Sequence, residues 1–329
     1  MGCTSRSRAS LTLSDVAMVA VAFTTSARAQ VLYEGFDYSA GDIDGTQTGG
    51  VGFGATGWIT SNISNSNSYD VFNSGLTFTG LPTAGLSVTR PSAPGGAEMH
   101  RPISALSQAA LTGDNTTIWF SVLMNDREFA GRHSQGSIVL GSGPFTGPFA
   151  NSSVPPVMAG GEAFGVGFDG TPGNVLEVAG LAIDDGVSTF SADKLPDPDD
   201  SSGGNTTYLI AGKIDWAPNG TDDTLRLFNI ADPLAAPPAD GDAFATMLAD
   251  LDQSMFDTIA IGDAQIAIFD EIRFATTFEE AVGRAAPAPE AVPEPASVAI
   301  WSLLGLWLAG CGVYRARQKK YSSNGSGIS

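Results

Sequence analysis

Residues 208–216 read Y-L-I-A-G-K-I-D-W. Tyr208, Ile210, Ile214 and Trp216 occupy alternate positions, while Lys213 and Asp215 fall between them. A period of two belongs to a strand, whose successive side chains point to opposite faces of a sheet. The same signature recurs on both sides. Upstream it predicts strands at 117–124 (T-I-W-F-S-V-L-M), 137–140 (S-I-V-L), 163–168 (A-F-G-V-G-F) and 175–183 (V-L-E-V-A-G-L-A-I). Downstream it predicts strands at 224–230 (T-L-R-L-F-N-I), 256–262 (F-D-T-I-A-I-G) and 266–274 (I-A-I-F-D-E-I-R-F). Gly, Asn, Asp, Ser and Pro separate them, so residues 30–283 read as an all-β antiparallel sandwich. Only Asp240 to Met255 has helical spacing, through Phe244, Met247, Leu248, Leu251 and Met255, and it predicts a short helix or an ordered loop.

The chain has 329 residues, with 40 Gly, 19 Pro and a formal charge of −19. That charge is unevenly placed. Nine basic residues face 33 acidic ones between positions 30 and 291, about −24 for the middle of the chain. Neutralising phosphates needs clustered Lys and Arg, so nucleic acid is excluded as a partner. The two cysteines, Cys3 and Cys311, lie outside 30–283, so this domain has no disulfide, thiolate metal site or Cys nucleophile. Its stability must come from burial, which about 250 residues can supply.

The ends carry targeting information. Residues 1–29 read as an export signal: Arg6 and Arg8 are the basic region, Leu11 to Phe23 is mostly apolar, and Ala27-Arg28-Ala29 places a cut before Gln30. Ala296 to Tyr314 is a run of nineteen residues without a charge, about 28 Å as a helix, which predicts a single transmembrane span. Arg315, Arg317, Lys319 and Lys320 follow, so the positive-inside rule keeps the 321–329 tail cytoplasmic and the acidic domain outside.

Before the span stand an Ala/Pro/Glu linker at 284–291 and the motif Val292-Pro293-Glu294-Pro295. The order V-P-E-P, apolar span, basic cluster over residues 292–320 resembles the PEP-CTERM sorting signal of Gram-negative bacteria that make exopolysaccharide. This resemblance implies recognition by an exosortase, cleavage near the Pro-Glu-Pro, and release or surface attachment. It also implies a domain held first at the inner membrane on the periplasmic side, then at the cell surface or outside. Flanking prolines keep Glu294 out of a helix, which suits access by a membrane enzyme.

A second resemblance runs through E-G-F-D-Y (34–38), G-W-I (57–59), S-G-L-T-F-T-G-L (74–81), W-F-S-V-L (119–123), D-T-L-R-L-F-N (223–229) and F-D-E-I-R-F-A-T-T-F (269–278). This order is similar to the laminin-G-like, concanavalin-like jelly rolls. It implies about a dozen strands whose first and last pair, and it implies no activity, since such jelly rolls include glycan binders, adhesion modules and glycosidases.

The residues themselves offer little chemistry. No E-x-D-x-x-E run is present, and Asp270-Glu271 are adjacent, so on a regular strand they point to opposite faces and make no carboxylate pair. No G-x-S-x-G occurs, and His100 and His133 have no sequence-near partner that would suggest a metal site. Gly52 to Gly57 and Gly165 to Gly170 match G-x-G-x-x-G but open no helix in a βαβ unit. No catalytic residue and no metal ligand is assigned. Asp42-x-Asp44-Gly45, Asp197 to Asp200 and Asp222-Asp223 could supply oxygen ligands for Ca²⁺, and solvated loop acids are the preferred reading. Asp270 shares its expected strand face with Ile266, Ile268, Ile272 and Phe274, so its charge requires Arg, backbone N–H groups, a cation or a bulge. Trp58, Trp119 and Trp216 could stack on sugars if exposed, but Trp119 and Trp216 lie in apolar strands and read as core. The expectation is a non-enzymatic, exported envelope or matrix protein. A glycan-binding module for exopolysaccharide is the first alternative and a glycoside hydrolase the second.

Overall fold

The computed structural model describes residues 31–61, 69–90, 97–126, 136–146, 157–169, 177–196, 206–263 and 267–284. The export signal with Ala27 and Ala29, the linker beyond Arg284, Val292 to Pro295, the 296–314 span and the Arg315–Lys320 cluster lie outside them. So do His133, Gly170, Asp197 to Asp200 and Ile266. Among the described residues no helix is long and apolar enough to cross a membrane.

In chain order the strands are β1 (Leu32–Glu34), β2 (Gly41–Asp42), β3 (Ile59–Ser61), β4 (Asp70–Phe72), β5 (Ser87–Thr89) and β6 (Ala97–Pro102). They continue with β7 (Thr117–Asp126), β8 (Gly136–Gly141), β9 (Phe145–Thr146), β10 (Val157–Met158), β11 (Ala163–Asp169) and β12 (Glu177–Asp184). The last are β13 (Val187–Pro196), β14 (Thr207–Asp215), β15 (Asp223–Asn229), β16 (Ala245–Ala249), β17 (Thr258–Asp263) and β18 (Ala267–Ala275). Two short helices, α1 (Ala105–Leu111) and α2 (Phe278–Ala281), and two 3₁₀ turns, Asp240–Asp242 and Gln253–Met255, complete the described elements.

The strands form a nine-stranded sheet, β16-β15-β14-β7-β18-β5-β4-β2 with β1 also on β18, a seven-stranded sheet, β13-β12-β11-β8-β17-β6-β3, and the separate pair β9-β10. Their pairings are antiparallel. The main core joins the inner faces. Phe120, Val122, Met124, Ile210, Ile214 and Leu225 of the larger sheet pack with Ile138, Leu140, Phe164, Val166, Ile259 and Ile261 of the smaller. The domain is therefore an antiparallel two-sheet sandwich, and each strand predicted between 117 and 274 is present within a few residues.

The alternation in 208–216 holds: Tyr208, Ile210, Ile214 and Trp216 face the other sheet. Lys213 and Asp215 face outward, where Lys213 Nζ lies 2.9 Å from Asp240 Oδ1. Yet Leu209 and Ala211 on that outer face are also buried, in a second cluster with Trp119, Leu123, Phe228 and Phe278. The outer face of the nine-stranded sheet is thus covered, by α2 and by Leu76, Phe78 and Leu81 of the 74–86 segment. A smaller cluster on the other sheet, Val139, Leu181, Ile183 and Ala260, is covered by Phe145 and Met158 of the antiparallel pair β9–β10.

One element differs from expectation. Residues 245–249 are not helical but form the edge strand β16, paired with β15 between two 3₁₀ turns. Ala245, Met247 and Ala249 are buried while Thr246 and Leu248 are exposed, a period of two. The helical spacing arose because Phe244 and Leu251 flank the strand and Met255 belongs to the second 3₁₀ turn.

Gly165, in the middle of β11, has neighbours too close for a side chain. A Cβ there would sit 2.0 Å from the Ile138 carbonyl oxygen and 2.7 Å from Val139 Cγ1. Gly165→Ala is expected to lower stability by about 1–3 kcal/mol through overpacking, read as a lower urea midpoint; an unchanged midpoint would contradict the packing described.

Candidate functional site

Asp270, Glu271 and Arg273, all buried, follow closely on β18. Asp270 and Glu271 are both fully buried, and Glu271 adopts a left-handed conformation, φ +51°. The pairing with β7 slips between Asp270 and Arg273, which is a β-bulge. This extra residue reverses the phase of the strand. Ala267 and Phe269 face the core before the bulge, and Ile272 and Phe274 face it afterwards. Asp270 therefore does not share a face with Ile272 and Phe274, as regular alternation had predicted; it points to the outer side. The bulge also removes the premise on which Asp270 and Glu271 were set on opposite faces. Both carboxylates meet the same segment, residues 74–86.

Of the alternatives expected for Asp270 (Arg, backbone N–H groups, a cation or a bulge), backbone N–H groups and a bulge are present. Leu76 N donates to Oδ2 and Glu271 N to Oδ1, each at 2.8 Å. Glu271 accepts from Ala84 N at 2.5 Å and pairs with Arg273, which also donates to the Pro82 carbonyl at 3.0 Å. Burial pushes Asp270 up to about 8, with Glu271 raising it further against the backbone donors. Burial likewise raises Glu271, while Arg273 opposes the shift. Tyr33 on β1 faces the same group, and burial with the Glu271 charge holds its hydroxyl well above the usual tyrosine range.

A second buried group was not foreseen. Glu34 on β1 accepts from Phe36 N (2.8 Å), the Tyr38 hydroxyl (2.7 Å), Trp58 Nε1 (2.9 Å) and Arg101 Nη1 (3.2 Å). Arg101 on β6 continues to the carbonyls of Gly49 (2.6 Å), Thr48 (3.0 Å) and Thr56 (2.9 Å) and lies over the Phe53 ring. The pair fastens the 47–58 loop to both sheets. Its one sequence signal was Glu34 within E-G-F-D-Y; Arg101, 67 residues away, had none.

Acidic side chains gather at one end of the sandwich. Asp223 is fully buried and accepts from Ala217 N (2.6 Å) and Leu251 N (3.1 Å). Burial pushes it up to about 6, against those donors and with help from Asp250 and Asp114. Burial also raises Glu162 and Asp184, and neighbouring Asp252, Asp185, Asp250 and Asp222 add to this. Asp42 and Asp70 lie opposite each other on β2 and β4, and burial with the Asp42 neighbour pushes Asp70 to about 6. Asp44 instead closes a local turn, accepting from Thr46 at 2.6 Å. Among the described residues no group of three or more His, Cys, Asp or Glu side chains is arranged to hold a metal ion.

The remaining candidates are structural. Trp58, Trp119 and Trp216 are 0%, 9% and 3% exposed. His100 Nδ1 lies 2.8 Å from Glu98 Oε1, on the outer side of β6. Gly52 takes φ +84° in a turn, whereas Gly165 lies inside β11, so neither glycine string cradles a ligand at a helix start.

No family model matches the chain, and no curated protein matches it. Among solved structures it is similar to the β-glucanase of Bacillus licheniformis, at 13% identity over 74% of this chain and 97% of that one, TM-score 0.36. It is also similar to a mutant alginate lyase Aly36B bound to alginate tetrasaccharide, at 10% identity over 76% and 98%, TM-score 0.37. A third is the CBM2 module of the evolved Dit of Lactobacillus casei BL23 phage J-1, at 11% identity over 66% and 94%, TM-score 0.34. Likenesses this remote decide nothing about activity, and the functional reading rests on the chain's own residues.

Proposed function

We propose that this chain is an exported, non-catalytic sandwich of the concanavalin-like jelly-roll type, delivered to the cell envelope or extracellular matrix by a C-terminal sorting signal. The order Val292-Pro293-Glu294-Pro295, uncharged span 296–314, then Arg315, Arg317, Lys319 and Lys320 carries the reading. An exosortase-type enzyme in the membrane is the processing partner, and exopolysaccharide is the matrix into which the product would go. The state of the buried carboxylates supports the non-catalytic part. Asp270, Glu271, Glu34 and Asp223 each have both oxygens engaged by backbone N–H groups or by Arg, Trp and Tyr donors. A general acid or nucleophile must reach substrate, and these groups face their own chain.

Replacing Pro293-Glu294-Pro295 with three alanines tests the sorting. The variant is expected to accumulate in the membrane at full precursor length, while the wild type yields a shorter product on an immunoblot. Processing at the wild-type rate would overturn the assignment. Burial of Trp58, Trp119 and Trp216 counts against the glycan-binding alternative, because packing sugar C–H groups on an aromatic face needs an exposed ring. A glycan array probed with the mature protein, with and without Ca²⁺, separates scaffold from lectin and tests the acidic loops together.

A further inference from the structure

α1 stands at the end of the sandwich where the chain leaves β6 of the seven-stranded sheet and enters β7 of the nine-stranded one. Its sequence, A-L-S-Q-A-A-L, carries no charge. Ser107 and Leu111 are buried, and the Leu111 carbonyl accepts from Trp216 in the core. Ala105, Leu106, Ala109 and Ala110 are exposed, Leu106 by 86%. Their spacing puts these four on one side of the helix. Apolar neighbours extend that side in both directions. Ser104 N donates to the Gly52 carbonyl at 2.8 Å, beside the exposed Val51. Gln108 Nε2 donates to the Ser254 carbonyl at 3.1 Å, beside the exposed Met255. Three of the seven large apolar side chains exposed among the described residues thus gather around this helix. Single exposed apolar residues are ordinary, whereas a contiguous group with a polar rim marks an interaction site.

The rim is acidic. Ser254 lies in a turn capped by Asp252, whose N–H donates to Glu162 Oε2 at 2.7 Å. Asp184 and Asp185, where β12 turns into β13, are close enough to act on Glu162, and Asp250 acts on Asp184. Asp114, three residues beyond α1, accepts from Gln253 Nε2 at 2.7 Å. Burial first, and then the neighbouring carboxylates, raise both Glu162 and Asp184. No ion pair among the described residues involves these six side chains; Lys194, Lys213, Arg226, Arg273 and Arg284 are committed elsewhere.

We propose that the exposed side of α1, with Val51 and Met255, docks a basic amphipathic polypeptide segment, its apolar residues on Leu106 and its Lys or Arg side chains on the surrounding carboxylates. Charge selects this occupant. A second copy of the chain would set the acidic rim against itself, and an anionic lipid surface would be repelled in the same way. A wholly apolar partner would leave the rim unanswered. An apolar centre inside a polar rim is the usual layout of a protein interface. Exposed ion pairs each add little and weaken with salt, so Leu106 supplies the anchor while the carboxylates govern approach and selection. The inference does not depend on the sorting signal; it gives the scaffold a partner surface of its own.

Fluorescence anisotropy with the mature protein and three labelled synthetic peptides of equal length tests this. One peptide carries Leu and Lys at helical spacing, the second has Glu in place of Lys, and the third has Lys and Ser without apolar residues. The Leu/Lys peptide is expected to bind saturably, about tenfold or more tighter than either control, and less tightly as salt is raised. Leu106→Ala is expected to weaken its binding about tenfold. The combined change Asp114→Asn, Asp185→Asn and Asp250→Asn is expected to cost about as much and to flatten the salt dependence. Leu234→Ala, at an exposed leucine beside Arg284, is expected to bind like the wild type. Urea midpoints close to wild type confirm that these surface variants are folded. No saturable binding, equal binding of the Leu/Lys and Lys/Ser peptides, or wild-type affinity in Leu106→Ala would overturn the proposal. So would a wild-type dimer that Leu106→Ala returns to monomer in sedimentation, or Leu106-dependent binding of phosphatidylcholine vesicles, which would give the face to a second copy or to lipid.

Discussion

Glu34→Ala is expected to destabilise the domain by about 3–5 kcal/mol, the cost of removing one partner from a buried ion pair. Four donors converge on that carboxylate, and three are side chains from separate parts of the chain: Tyr38, Trp58 and Arg101. Truncation leaves the Trp58 indole N–H without its acceptor and the Arg101 guanidinium, 2% exposed, without its counter-charge. The carbonyls of Thr48, Gly49 and Thr56 still accept from Arg101, but a dipole does not neutralise a charge. Glu34→Gln keeps an acceptor and the shape, so its loss should be clearly smaller. Urea titration of the three proteins at pH 7 checks the order. A Glu34→Ala midpoint equal to wild type would mean that the Glu34–Arg101 ion pair adds nothing net to stability.

The second large effect is expected at Trp216. Its ring stacks on Phe164 of the opposite sheet at 6.0 Å and meets Phe256 edge-on at 5.5 Å. Its Nε1 donates to the Leu111 carbonyl at 2.6 Å, which ties the end of α1 to the core. Trp216→Ala opens a cavity between the sheets and should cost about 3–5 kcal/mol. Trp216→Phe restores much of the ring packing but leaves that carbonyl unmet, so about 1–2 kcal/mol should remain. Equal losses in the two variants, measured by denaturant titration, would show that the hydrogen bond and not the ring governs the site.

What could be read from the chain follows the way each element meets water. β7, β8, β11, β12, β14, β15, β17 and β18 lie inside the sheets, and their apolar runs with period-two patterning announced them. β13 is an edge strand with alternate residues exposed, and V-S-T-F-S-A-D-K-L-P carries too few apolar residues to register. β6 was hidden for another reason. Arg101 occupies an inward position, while Glu98 and His100 take the outward ones, so polarity and burial do not coincide. The bulge at Glu271 shows a different limit. One inserted residue exchanges the faces of everything after it, and no local residue type marks it. The partners of the buried charges are also invisible locally, since Ala84 meets Glu271 across 187 positions. The need for a partner at Asp270 was legible; which backbone groups would supply it was a property of the assembled sheets.

The position of the last two strands bears on how the chain reaches this state. β18 lies between β7 and β5 in one sheet, and β17 lies between β8 and β6 in the other. Each is a central strand, so both sheets remain as separated halves until residues 258–275 are available. Pairings such as Leu123 with Asp270, or Leu140 with Ile259, span more than a hundred positions. Chains dominated by such distant contacts fold slowly, in milliseconds to seconds or longer. A nascent chain would therefore stay unlocked until its final strands arrive, and a product ending before Thr258 would carry open edges into solution, where they invite aggregation.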